Sequence, residues 1–360
     1  MKTLLLGDVC PTDMTKEYFA KQDVTTLFGD TVSLFQGKDF VFVNLECALT
    51  AHEGAIKKIG PSLKAPRETA EVLKTLGVDL CGLSNNHVFD YGVKGAKDTM
   101  DVLRESGIDY TGFGNDYEDS RKNYTVEHDG ERICIIAVCE HEYSYALEDR
   151  MGSRPFDEYH TIEDIRAAKQ THDKVIVIYH GGKEFCRYPS PRLHRVCHAM
   201  ARNGADVVLC QHSHCVGAYE QYNGCHILYG QGNFHFVKSH PLACWHSALA
   251  VEYDSSAHSI RFVPLVAGEK GIMLAKGEQE QEIMGAFAER NHTLTTGAWK
   301  DGWHAFCEEN RERYVKAISR ACLPDSTERE NTVFSHFLDC EAHTDVWREL
   351  FPSDNLTNEK

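Results

Sequence analysis

Residues 194–214 read HRVCHAMARNGADVVLCQHSH. A helical pattern runs to Gly204, a residue type that stops helices, and a strand-length apolar run follows at once. That run ends in His212 and His214, so a buried strand delivers two imidazoles at its carboxyl end. The same unit recurs outward along the chain. RETAEVLKTLG (67–77) leads into VDLCGLSNNH (78–87), and GAKDTMDVLRESG (95–107) follows. KTLLLGD (2–8), FVFVNLE (40–46), ICIIAVCEH (133–141), KVIVIYHGG (174–182) and HILYGQGNF (226–234) are further apolar runs of strand length. Strands alternating with helices in this way predict an α/β architecture. Past Pro264 the texture changes to long polar helical stretches with intermittent aromatics. The chain is expected to divide into an α/β domain over 1–268 and a C-terminal helical extension over 269–360, frayed at its end in SDNLTNEK.

Composition limits the function. The chain has 360 residues, 42% hydrophobic and 26% charged, which suits a folded globular protein with a sizeable core. A net charge of −16 argues against nucleic acid as a partner, because that affinity rests on cationic side chains that displace counterions. One basic stretch, AIKKIGPSLKAPR (55–67) with Lys57, Lys58 and Lys64, reads as a solvated loop in preference to an anion contact. MKTLLLGDVC at the N-terminus is far short of a signal peptide, and no run approaches a membrane span. The expectation is a cytoplasmic protein without a membrane anchor. The 14 cysteines are scattered, form no CxxC pair and often sit in apolar runs, as reduced core thiols do.

The polar residues at the strand ends carry the chemistry. Asp8 follows KTLLLG, Glu46 follows FVFVNL, Asn86 and His87 follow VDLCGLSN, His180 follows KVIVIY, and His212 and His214 follow ADVVLCQ. In open α/β sheets the carboxyl ends of the strands form the ligand crevice, so these separate segments are expected to meet there. Two carboxylates, an amide oxygen and three imidazoles make a mixed nitrogen and oxygen set. Such a set suits two divalent ions of the Mn, Fe, Zn or Co class, with a carboxylate bridging them. A cation pair of that kind generates a hydroxide nucleophile at neutral pH and stabilises the attacking and leaving oxygens of a phosphoryl transfer. Taken singly each residue has a plainer role: Asp8 as a helix cap, Asn86 as a turn residue, His180 as a satisfied core histidine. Their joint placement favours metal binding.

LLLGDV, FVNLECALT, LSNNHVFDYG, VIVIYHGGKEF, VVLCQHSHCVGAYE and ILYGQGNFHF, spanning residues 4–236, together resemble the CapA family of poly-γ-glutamate capsule synthesis, within the calcineurin-like metallophosphoesterase superfamily. The resemblance implies a four-layer sandwich of two central β-sheets flanked by helices. It implies that Asp8 and His214 hold one metal, that Asn86, His180 and His212 hold the other, and that Glu46 bridges them. His87 would stabilise charge or protonate the leaving oxygen, with Asp90 orienting it. Glu184 matches a family glutamate and is either a support or a substrate contact. Asn233 of GQGNF is either a substrate contact or a turn residue.

There are departures from the family pattern. Cys10 stands where the superfamily often has a histidine ligand, Gly181 replaces a usual aromatic, and Cys210 and Gln211 replace a Gly-His pair. The implied function is a metal-dependent hydrolase that turns a metal-bridging hydroxide on a phosphoester or related bond of a small anionic or polymeric substrate. The alternative is a non-catalytic or amide-hydrolysing component of poly-γ-glutamate or capsule biosynthesis. Trp299, Trp303 and Phe306 are expected to pack as core rather than to close a lid.

Overall fold

The computed structural model describes residues 1–352; SDNLTNEK, read as a frayed end, lies outside the described residues. Two sheets form the centre. The first contains β1 (Lys2–Val9), β2 (Phe40–Leu45), β3 (Leu80–Gly82) and β4 (Asp109–Thr111), which run parallel to one another. The second contains β5 (Tyr124–His128), β6 (Glu131–Cys139), β7 (Lys174–His180), β8 (Val207–Gln211), β9 (Tyr219–Tyr222) and β10 (Cys225–Leu228), in the order β9-β10-β8-β7-β6-β5. The short β11 (Asn233–His235) returns to pair with β1. β12 (Ser247–Asp254), β13 (Ser259–Ala267) and β14 (Ile272–Leu274) then complete the eight-stranded first sheet as antiparallel neighbours.

Side-chain alternation explains the layering, since successive strand residues face opposite sides. Leu5, Phe40 and Phe42 of the first sheet pack against Ile133, Ile135, Ile176 and Leu209 of the second, building a core between the sheets. Their neighbours Leu4, Leu6, Val41 and Val43 point outward onto Leu73 of α1 (Glu68–Leu76) and Leu103 of α2 (Gly92–Glu105). On the far side Cys134, Ile136, Val175 and Val177 meet Ile165 of α3 (Glu158–Lys169) and Leu193, Val196 and Cys197 of α4 (Pro191–Arg202). The result is the expected four layers, helices, sheet, sheet, helices. α4 starts sharply because Pro191 follows Ser190, whose hydroxyl accepts the Leu193 amide at 3.0 Å.

α5 (Glu278–Thr296) buries Phe287 in the core between the sheets. α6 (Trp299–Ala321), α7 (Glu328–Asp339) and α8 (Glu341–Leu350) gather Trp303, Cys307, Tyr314, Phe337 and Val346 around Cys186. Trp299 and Trp303 are buried, as the aromatic spacing predicts. A buried ion network joins the extension to the sheets. The Arg192 guanidinium bonds the Glu140 carboxylate and both carboxylate oxygens of Asp345, the latter at 3.0 Å. All 14 cysteines are unpaired thiols, most of them buried. Among the described residues no helix is long and apolar enough to cross a membrane.

Candidate metal centre

Register brings the strand ends level. Asp8 pairs with Asn44 and with Asn233 across β1, and His180 pairs with Gln211 and Cys139 across β7. Residues from both sheets therefore converge on one cleft. Asp8, Glu46 and His180 form one trio of donors, and Glu46, His212 and His214 another, each with its ligand atoms within 4.8 Å of one another. Glu46 belongs to both. Its Oε1 lies 3.4 Å from His180 Nε2 and 4.0 Å from His214 Nε2, while Asp8 lies 3.7 Å from His180 Nδ1 and 3.6 Å from His214 Nδ1. Asn86 Oδ1 completes the group, 2.8 Å from His180 Nε2. Every metal-ligand candidate read from the sequence is thus in one place.

The site is built against the grain of ordinary packing. Glu46 is fully buried, yet neither of its carboxylate oxygens has a hydrogen-bond partner, and neither does His212 Nδ1. An unpartnered buried carboxylate costs several kcal/mol, so native proteins keep one where a cation compensates it. His212 and His214 also hold left-handed backbone, φ 75° and 53°, a conformation non-glycine residues adopt at a cost. Burial, with the negative charge of Glu46, lifts Asp8 to about 6, and burial lifts Glu46 well above the carboxylate range. The same burial depresses His180 and His214 to about 4 and His212 well below its usual value. Neutral imidazoles are the form a cation takes. The orphaned donors and the donor chemistry both fit a pair of divalent cations.

Neighbouring side chains fix the donors. Asn44 Nδ2 donates to Asp8 Oδ1 at 2.7 Å and is itself held through Asn85. The Asn233 side-chain oxygen faces His214 Nδ1 at 2.8 Å, and its amide nitrogen donates to the Trp245 carbonyl at 3.3 Å. Asn233 lies in β11, not in a turn, and its side chain is engaged at both ends. Cys10 is buried outside both trios, its thiol pushed well above its usual range by burial and by Cys47. At Gly181 a Cβ would strike the Glu140 carboxylate, which accepts the Gly182 amide at 2.7 Å.

A cavity of about 230 Å³ reaches two of these donors, Asn86 and His212. His87 and Glu184 line it. His87 Nδ1 lies 2.6 Å from Asp90 Oδ2. Burial, reinforced by the Lys58 ammonium, holds His87 at about 4 against the pull of Asp90. Burial would raise Glu184, but Lys183, His214 and Arg313 outweigh it and hold the carboxyl at about 2. Lys58 corrects the solvated-loop reading: its side chain is only 3% exposed and pairs with Asp90, whereas Lys57 beside it is 90% exposed. The C-terminal helices form the cavity's outer wall through Arg313, His336, Cys340 and His343. Trp299, Trp303 and Phe306 take no part in that wall. His141 escaped the sequence reading. It ends the β6 run, its ring sits 4.1 Å from that of His212, and its Nδ1 has no partner. Applying the strand-end rule to ICIIAVCEH would have found it.

Residues 2–238 match the family model of the bacterial capsule synthesis protein PGA_cap. The chain belongs to this capsule synthesis family. Among its relatives, the PGA biosynthesis protein CapA of Bacillus subtilis (strain 168) is 29% identical over 237 residues, 64% of this chain and 62% of that protein. The capsule biosynthesis protein CapA of Bacillus anthracis is 28% identical over 243 residues, 64% of this chain and 59% of that protein. The chain thus spans about three-fifths of the length of these PGA_cap relatives. Of solved structures, a 5'-nucleotidase precursor from Thermus thermophilus overlaps 82% of this chain and 59% of its own, at 14% identity and a TM-score of 0.44.

Proposed function

We propose that this capsule-synthesis family member is a metal-dependent hydrolase acting on a phosphoester or related bond of an anionic substrate. The observation that carries this reading is Glu46, buried, unpartnered and common to two donor trios, as a carboxylate shared by two cations would be. Asp8, Glu46, Asn86, His180, His212 and His214 would hold the ions. Bound there, the ions would supply an acidified water and charge neutralisation on the reacting oxygens.

The chain's own residues account for the rest. Lys58, Lys183 and Arg313 around the cavity favour an anion, whatever the net charge of the whole protein. His87 faces the bound substrate and exchanges a proton with the leaving oxygen, while Asp90 holds its ring. A substrate anion beside His87 raises the histidine's depressed pKa toward the working range. Glu184 stays ionised and repels carboxylates that approach its side of the cavity. Asn233 positions His214 through its side-chain oxygen. The names of the relatives suggest synthesis of a poly-γ-glutamate or capsule polymer as the setting.

The test is hydrolysis of a panel of phosphomonoesters and phosphodiesters by manganese-loaded protein, beside His87→Ala and a chelated control. Turnover that disappears in both controls supports the phosphoesterase reading. Stoichiometric metal without turnover on any ester removes phosphate esters and leaves γ-glutamyl amides as the bond to assay.

A further inference from the structure

Away from the strand-end cleft, a second set of donors meets between α4 and β9. His194 and His198 stand four residues apart on α4, hence on one face of the helix, and Glu220 of β9 reaches both. Glu220 Oε1 lies 2.8 Å from His198 Nε2 and 3.4 Å from His194 Nε2, and the three ligand atoms fall within 4.8 Å of one another. Two imidazoles aimed at one carboxylate oxygen exceed what an ion pair needs. Protonating both would set like charges on rings 4.0 Å apart.

Their surroundings hold this arrangement still. The His198 ring stacks on Tyr222, centroids 3.6 Å apart and planes within 9°, and the His194 ring stacks on Trp299 at 4.7 Å. Tyr229 donates its hydroxyl to the same Glu220 oxygen at 2.7 Å, the kind of outer hydrogen bond that orients a ligating carboxylate. The three side chains keep 14 to 20% of their surface exposed, so an ion and a water have access.

We propose that His194, His198 and Glu220 form a cation site for an ion of the zinc class, separate from the strand-end centre, with water as the fourth ligand. Nitrogen and oxygen ligands about 2.0–2.1 Å from a tetrahedral ion stand about 3.3 Å from one another. The His194–Glu220 pair already has that spacing. His198 reaches it by moving roughly half an ångström along the face of Tyr222, within the flat stacking geometry. Trp299 is the first residue of α6 and rests on His194, so the ion pins the ring against which the last three helices begin.

The test is equilibrium dialysis of the full chain against buffered zinc, with metal analysis. The His194→Gln/His198→Gln variant is expected to hold one zinc fewer than wild type. Glu46→Gln/His212→Gln, which disables the strand-end centre, should keep that zinc. In this second background cobalt(II) should give the intense visible bands of a tetrahedral ion, and they should vanish when the α4 histidines are also replaced. Equal zinc content in wild type and His194→Gln/His198→Gln would overturn the site, as would absence of the cobalt bands. Should the double variant fail to fold, Glu220→Gln, which keeps the side chain's shape, is read by the same two measurements.

Discussion

His87 and Asp90 are joined Nδ1 to Oδ2 at 2.6 Å, and Lys58 closes on both from a loop that sequence alone places in solvent. Asp90 is fully buried and also accepts the Leu63 amide at 2.7 Å, so the carboxylate has no freedom to swing away. It holds the proton on Nδ1 and leaves Nε2 as the ring atom free for the proposed proton transfer. His87→Ala should therefore lower turnover by roughly 10²- to 10⁴-fold with bound metal unchanged. Asp90→Asn keeps the shape but loses the charge, and should cost less, about 10-fold to 10²-fold, mainly in kcat. Parallel measurement of kcat and of metal content checks both. A fall in metal content equal to the fall in turnover would place the pair in metal binding instead.

Glu46 gives a prediction that separates folding from function. Without cations its carboxyl is buried and unpartnered, a stored cost that a neutral amide avoids. Glu46→Gln should stabilise chelator-stripped protein by an amount on the order of 2 kcal/mol and so raise its melting temperature. The same change should abolish the stabilisation that manganese gives wild type, since ligand binding to the folded state alone raises its stability. Calorimetry of both proteins, with chelator and with manganese, checks the crossing. A variant less stable than wild type under both conditions would mean that Glu46 serves the fold.

The six strand-end donors were legible because two local signals coincide there, an apolar run and the polar residue that closes it. His212 and Glu46 could be read in this way without knowing which strands pair. The outer wall of the cavity could not. Arg313, His336 and His343 sit on helices whose polar texture gives no hint of what they cover; their place depends on a buried network, Glu140–Arg192–Asp345, whose members are about 50 and 150 residues apart in the chain. The place of Asn233 against His214 could not be read either, because β11 is three residues long and pairs with β1 from more than 200 residues away. The burial of Lys58 against Asp90 is equally hidden. A charge run reveals nothing about a buried aspartate that arrives from another segment.

The engaged amide of Asn233 predicts a metal phenotype. Its oxygen fixes the proton on His214 Nδ1 and so presents Nε2 toward Glu46. Asn233→Ala should weaken manganese binding by about 10- to 100-fold. At saturating manganese, KM should stay within about twofold of wild type. Competition with a chromophoric chelator measures the first effect, and steady-state kinetics the second. A raised KM with unchanged metal affinity would restore the substrate-contact role.

Glu341 makes the seating of the C-terminal helices depend on pH. It is the first residue of α8, and Tyr145 donates its hydroxyl to it at 3.4 Å. Burial, reinforced by the charge of Glu140, raises its carboxyl from 4.5 to about 7. Because the folded pKa exceeds the unfolded one, the folded protein keeps this proton where the unfolded chain has lost it. The contribution is fully present below about 4.5 and is lost as pH rises through 7. At pH 8 the folded state carries an ionised Glu341 next to the Glu140–Arg192–Asp345 network, at a cost on the order of 2 kcal/mol. Glu341→Gln cannot ionise, so its stability relative to wild type should rise between pH 5 and pH 8, from near zero to about that value. Paired urea denaturation at the two pH values, with manganese at the same concentration in both, isolates the difference from every other titrating group. A difference that stays constant with pH, or that favours wild type at pH 8, would show that Glu341 is ionised in the folded protein throughout and that Arg192 neutralises it.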